Sequence, residues 1–268
     1  MTTADYLESL QDDLDRTVTA LDLEEGTNFT DIADMAENGD ISTGGGADLS
    51  EYFTTEITTT TSKPVTNLIK KYSDIIVDDN VTSLQNLFGE TSFNNIPAPK
   101  VICNNNVTDM AFMFYKALNC TSIDMTGIDA SNVTTLNGIF YVPSVENKLT
   151  NINFGSNFNT TSVTNMREMF YMRQGLTSLD LSSFETPVLN TVLRMFGYCI
   201  NLRFIDMRKM TLDAVPSLST SGMFGASANN GVPNDCEIIV KDETQKNLIT
   251  NAFSRLTNVK TVAEYEAE

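Results

Sequence analysis

The chain has 268 residues, 41% of them hydrophobic, with a formal net charge of −18 and no histidine. That composition is ordinary for a globular protein of one or two domains. The missing histidine excludes Ser-His-Asp and Cys-His catalysis, and the lack of a basic cluster argues against a nucleic-acid partner. The acidity is local. Residues 1–56 hold fifteen of the thirty-five Asp and Glu against one base, Arg16, whereas residues 57–268 hold twenty acids against sixteen bases.

At the N-terminus, Leu7, Leu10, Leu14, Val18 and Leu21 recur at steps of three and four. This spacing predicts a helix with one apolar stripe and an acidic opposite face. The stripe must be covered, either by its own chain or by self-association or attachment to a larger assembly; the second option predicts a homo-oligomer. Residues 1–22 lack the basic start and apolar run of a secretory signal, and no stretch reaches the length of a membrane span. A short amphipathic segment, Phe29–Met35, follows. Gly44-Gly45-Gly46 then reads as a hinge, because three glycines sustain neither helix nor strand. Residues 50–62, with Phe53, Ile57 and Thr58–Thr61, read as strand. The division is therefore a helical attachment segment over 1–40, a hinge and leading strand over 41–62, and a body over 63–268.

The body repeats one phrase. Asn106-Val107-Thr108-Asp109-Met110-Ala111-Phe112-Met113-Phe114 returns as Asn132-Val133-Thr134 to Phe140, and as Ser162-Val163-Thr164 to Phe170. The anchors Phe88, Phe114, Phe140, Phe170, Phe196 and Phe224 are 26, 26, 30, 26 and 28 residues apart. A period of this size marks a solenoid. Apolar residues stand four and one positions before most anchors, which predicts a single helical turn per repeat pointing into a common core. Thr82, Thr108, Thr134 and Thr164 would cap those turns. After each anchor comes a short alternating run, such as Ile123-Asp124-Met125 or Leu179-Asp180-Leu181, with the period of a strand. One strand per repeat stacks into a parallel sheet, with Asp124, Asn153, Asp180 and Asp206 in a solvated row. Degenerate copies at residues 65–77 and 248–262 would cap the stack. The fold class is thus an α/β repeat, a leucine-rich-repeat solenoid with a parallel sheet preceded by a short helical segment. Cys103, Cys120, Cys199 and Cys236 lack metal-site spacing and read as buried thiols, with no metal and no cofactor expected.

Val-Thr-x-Met-x-x-Met-Phe followed by Leu176-x-x-Leu179-Asp180-Leu181-Ser182-Ser183-Phe184-Glu185-Thr186 resembles the BspA-like leucine-rich-repeat family of bacterial surface proteins. The resemblance covers residues 63–268. Taken with the acidic start and the glycine hinge, the whole resembles proteins of phages and prophages. It implies a virion protein of the tail or host-recognition apparatus. The N-terminal segment would contact other virion proteins, and the solenoid a host surface protein or glycan. The alternative is a bacterial surface adhesin; an enzyme acting on carbohydrate ranks third, because the Asp row is already explained by the repeat. The six sequons are by-products of the repeat wording, and the Gly44–Gly46 stretch lacks the lysine of a phosphate loop. Tyr115, Tyr141 and Tyr171 follow their anchors directly, and Tyr198 lies one place further on. They are the candidate binding residues; the competing reading is that they merely fill the seam between coils.

Overall fold

The computed structural model describes residues 54–57, 74–77, 81–89, 100–102 and 106–268, apart from 145, 146, 157, 217, 219, 220 and 228. The expected N-terminal helix with Leu7, Leu10, Leu14, Val18 and Leu21, the glycine hinge, residues 65–72 of the first degenerate copy and Cys103 lie outside the described residues.

The body is the repeat solenoid that its periodicity predicts. Each coil contributes one short strand: β1 (Thr54–Ile57), β2 (Asp74–Val77), β3 (Lys100–Ile102), β4 (Ser122–Asp124), β5 (Asn151–Asn153), β6 (Ser178–Asp180), β7 (Phe204–Met207), β8 (Glu237–Val240) and β9 (Val259–Thr261). All pairings are parallel, in the order β1-β2-β3, β4-β5 and β6-β7-β8-β9, and the register places Ile123 beside Ile152 and Leu179 beside Ile205. The central apolar residue of β4, β5 and β6 points inward, as a period of two requires, whereas β7 and β8 each bury three consecutive residues.

The segment before each anchor is not helical, contrary to the expectation of a helical turn. It is a run of tight turns. Met113 N–H donates to Met110 O and Tyr115 N–H to Phe112 O, three residues back. The residue two before every anchor is left-handed, with φ between 52° and 59°: Asn86, Phe112, Gly138, Glu168, Arg194 and Gly222. The alternation turns every second amide along the stack. Met110, Phe112 and Phe114 N–H donate to Thr135, Asn137 and Ile139 O of the next coil at 3.2, 2.9 and 2.8 Å. A lone helical turn would leave its terminal amides and carbonyls unpaired between coils, and a helix that short is costly to nucleate. Left-handed non-glycine residues cost about 1 kcal/mol or more each, and the second hydrogen-bonded ladder offsets this.

The small polar residues at the coil corners have local work to do. Asp124, Asn153, Asp180 and Asp206 each accept, through Oδ1, the N–H two residues on, closing the end of a strand. The row is not uniformly solvated. Asp180 is exposed, whereas Asp206 is buried beneath Arg208, whose guanidinium grips both its oxygens at 2.7–3.0 Å. The threonine row also differs from expectation. Thr108 and Thr134 hydroxyls donate to the carbonyls of Thr82 and Thr108 at 3.3 and 3.2 Å, so they climb the stack rather than cap amides.

The core is a column of phenylalanines. Phe88, Phe114, Phe140, Phe170, Phe196 and Phe224 are buried and stacked, with successive centroids 5.0–5.7 Å apart. The column ends on Phe253, which meets Phe224 edge-on just after helix α1 (Glu243–Ala252). Helix α1 and the short α2 (Val262–Tyr265) close this end with polar surface, as a terminal cap should. No helix among the described residues is long and apolar enough to cross a membrane.

One buried cation has no counterpart in the repeat pattern. Arg173 is fully buried three residues after Phe170. Its Nε donates to Phe140 O, Nη1 to Ala117 O at 3.3 Å and Nη2 to Phe114 O at 3.2 Å. A single guanidinium therefore ties its own coil to the two preceding ones. Burial lowers its pKa to about 10, while the adjacent Cys120 and Cys199 pull the other way. Cys120, Cys199 and Cys236 are buried, and the Sγ of Cys120 donates to Ser122 O and that of Cys199 to Phe170 O, both at 3.1 Å.

Candidate functional site

The four tyrosines singled out in the sequence form one continuous column on the flank of the solenoid. Ring centroids are 5.3 Å apart for Tyr115 and Tyr141, 5.2 Å for Tyr141 and Tyr171, and 5.5 Å for Tyr171 and Tyr198. The last two pairs meet edge to face at 78° and 72° and the first is tilted at 48°, so the column is not a flat platform. Phe112 continues it at one end, 5.6 Å from Tyr115. Tyr115, Tyr141 and Tyr171 are half-buried, and Tyr198 is exposed at 38%. Filling a seam and facing solvent are therefore not exclusive: each ring packs on its neighbour and still keeps part of its surface in water.

The backbone explains the position of the column. Phe+1 is the residue whose N–H closes the second tight turn, so its side chain leaves the coil on the face opposite the anchor. At the fifth coil Phe+1 is Gly197, and the series is continued by Tyr198 at the next position, which is left-handed at φ 60° as it is at Lys116 and Met172. A Cβ on Gly197 would stand 2.8 Å from Cε2 of Tyr171, so the ring of Tyr171 lies over this glycine. The same relation places Phe112 over Gly138, where a Cβ would meet the ring at 2.5 Å.

Charged side chains border the column. The Lys116 ammonium sits 5.1 Å from the centroid of Tyr115. Glu168, with a side chain 14% exposed, is held by Arg167 at 3.2 Å and Arg194 at 3.7 Å, both of which are largely exposed. The phenols of Tyr141 and Tyr171 are raised above the ordinary tyrosine value, first by partial burial. Neighbouring phenols and Glu168 add to the shift, and Arg194 opposes it at both tyrosines. Sequence reading found the tyrosines but not this polar rim, because Lys116 and Arg167 stand at other repeat positions, and the position shared by Glu168 and Arg194 carries Asn86, Phe112, Gly138 or Gly222 elsewhere.

A second concavity, a shallow polar groove, lies beside β5 and β6. Asn153, Gly155, Asp180, Ser182, Arg208 and Lys209 line it. Its carboxylate Asp180 is engaged by the N–H of Ser182, and Lys209 reaches Glu185 at 3.4 Å. Among the described residues, no group of three or more His, Cys, Asp or Glu is placed to hold a metal ion.

Comparison with curated proteins and with solved structures finds no match. A family described as "Mycoplasma protein of unknown function, DUF285" matches in two overlapping stretches, residues 47–154 and 108–232. The matched region contains the tyrosine column and five of its six phenylalanine-anchored repeats in full. A repeat solenoid of this kind is compatible with a surface protein. The chain belongs to the DUF285 family.

Proposed function

We propose that this chain is a non-catalytic binding protein of the phage or prophage tail and host-recognition apparatus. On this reading the solenoid faces the host, and the N-terminal segment holds the chain to other virion proteins as a homo-oligomer. The observation that carries the binding role is the tyrosine column, aligned on a stack whose every coil is hydrogen-bonded to the next. Half-exposed aromatic rings on a rigid frame supply contact area with little ordering cost. The virion setting is supported by the acidic amphipathic stripe Leu7, Leu10, Leu14, Val18 and Leu21 and the glycine hinge that follows it. The same face carried on a bacterial cell would make the chain an adhesin, a reading with which a repeat-solenoid family is compatible.

The test has two parts on the full chain. Labelled protein should bind host-surface fractions saturably, and Tyr141→Ala with Tyr171→Ala should weaken this about tenfold while the fold persists. Unchanged binding refutes the role of the column. Proteomics of purified particles and of washed cells decides the carrier. Recovery at tail-protein stoichiometry supports the virion, and recovery on cells alone overturns it in favour of the adhesin. Leu10→Asp with Leu14→Asp should release a monomer; an unchanged size means that the stripe packs on its own chain.

A further inference from the structure

We infer that residues 262–268 form an electrostatic strap over an apolar patch on the outer face of the sheet, and that the strap lifts in acid while the coils stay folded.

The patch is a break in the repeat. The strand register runs one outward row from Asp180 to Asp206, Ile239 and Lys260. Asp180 is polar and exposed, whereas the same row carries the apolar Ile239 on β8. Ile239 is wholly buried, yet it is Ile238 and Val240 on either side of it that pack into the coil core. Its cover comes from α2, which packs on β8 and β9 and sets Tyr265 against Phe204 of β7 with ring centroids 6.1 Å apart. The strap itself stays wet: Glu264, Glu266, Ala267 and Glu268 are exposed and Tyr265 is half-buried.

Charge fastens it. Glu264 meets Lys246 of α1 at 2.5 Å, Glu266 meets Arg208 after β7 at 3.6 Å, and Glu268 meets Lys260 of β9 at 2.6 Å. Each of these bases is shared with an acid of the body. Lys246 holds Glu243 at 3.8 Å, Arg208 holds Asp206 at 2.7 Å, and Lys260 holds Glu237 at 2.8 Å. Every cation therefore keeps a partner when the strap leaves. Exposed ion pairs are individually weak, so closure rests on all three together with the cover of Ile239. The coils are held instead by the phenylalanine column and the backbone ladder, neither of which carries charge.

Closure is linked to pH through Glu264. The Lys246 ammonium, and then the backbone N–H of Thr261, hold its carboxyl below the ordinary value of 4.5. A carboxylate depressed in this way stabilises the closed form fully above its ordinary value, and the contribution is lost as pH falls through the lower one.

The experiment is thiol labelling of the full chain carrying Ile239→Cys. The reagent is 4,4′-dithiodipyridine, which reacts in acid as well as at neutral pH, and rates are divided by those of free cysteine at the same pH. Labelling beyond that of the parent chain should be slow at neutral pH and rise about tenfold by about pH 3, while Cys199 in the coils stays unlabelled. Adding Glu264→Gln, Glu266→Gln and Glu268→Gln should give the fast rate at neutral pH and abolish the rise. Adding Glu237→Gln and Glu243→Gln instead, which frees two bases for the strap, should leave it closed at neutral pH. An acid rise that comes only together with Cys199 labelling means that strap and coils open as one unit, and overturns the inference. A triple glutamine variant as slow as the parent, or opening by the Glu237 and Glu243 substitutions, overturns it as well. If Ile239→Cys is itself labelled fast at neutral pH in every background, the isoleucine methyl NMR spectrum of the unsubstituted chain decides. The Ile239 methyl should then move in acid while those of Ile152 and Ile205 hold their positions, and an Ile239 methyl that stays with them overturns the inference.

Discussion

Replacing Arg173 by methionine removes a clamp across three coils while nearly filling the space of its alkyl chain. Three carbonyls lose a donor: Phe140 O, Ala117 O and Phe114 O. Phe114 O keeps the N–H of Ala117 at 3.2 Å, so two oxygens are left bare in the core. A buried acceptor without a partner costs about 1–3 kcal/mol, giving about 2–6 kcal/mol for the pair. Relief from burying a cation offsets part of this. Among the described residues, however, no carboxylate acts on Arg173 whose own desolvation would be recovered, unlike the buried ion pairs that methionine can replace without loss. The expected net loss is therefore about 2–4 kcal/mol. Urea unfolding followed by tyrosine fluorescence reads this directly, since the chain has no tryptophan. The clamp spans more than one interface, so the slope of the transition should fall together with its midpoint. Arg173→Lys should recover only part of the loss, because one ammonium does not reach three carbonyls on a fixed fork. A change no larger than that of the exposed control Lys209→Met would refute the reasoning.

Further outcomes follow from the same geometry. Burial pushes the thiols of Cys199 and Cys236 up to about 12, so neither should be alkylated in the native state at mildly alkaline pH. Mass mapping after iodoacetamide checks this, and rapid native labelling contradicts it. Because those thiols stay protonated in the fold while unfolded thiols ionise near their ordinary value of 9.0, stability should fall as pH rises from there toward 12. Gly138→Val puts a β-branched residue at φ +57° and a Cβ 2.5 Å from the Phe112 ring. A loss of about 1–3 kcal/mol is expected, seen as a Tm lower by several degrees, and an unchanged Tm would show that the turn can relax. Phe170→Ala opens the middle of the aromatic column and should cost about 3–5 kcal/mol in the same urea assay, whereas a cost near zero would mean that the coils close over the gap.

Much of this protein is legible from its amino acids alone. The anchors Phe88 to Phe224, the strands after them and the alignment of Tyr115, Tyr141 and Tyr171 follow from a repeat whose members must superpose when stacked. Residues at equivalent positions have no choice but to form columns. What periodicity does not carry is the handedness of the backbone between columns. Apolar residues at i, i+3 and i+4 suit a helical turn as well as successive tight turns, because both bring those side chains to one side. Only the stacked structure decides between them, since it makes each coil supply amides to the next, and the left-handed residues at Asn86, Phe112 and Glu168 do this. Arg173 was illegible for a related reason. Its partners are carbonyls of Phe140, Ala117 and Phe114, distant in sequence and anonymous in side-chain pattern. Sequence alone therefore determined the repeat, its period and its rows of like residues. Tertiary structure decided the turn chemistry, the buried cation and the charged rim of the tyrosine column, because each of these depends on backbone atoms or on side chains from different coils.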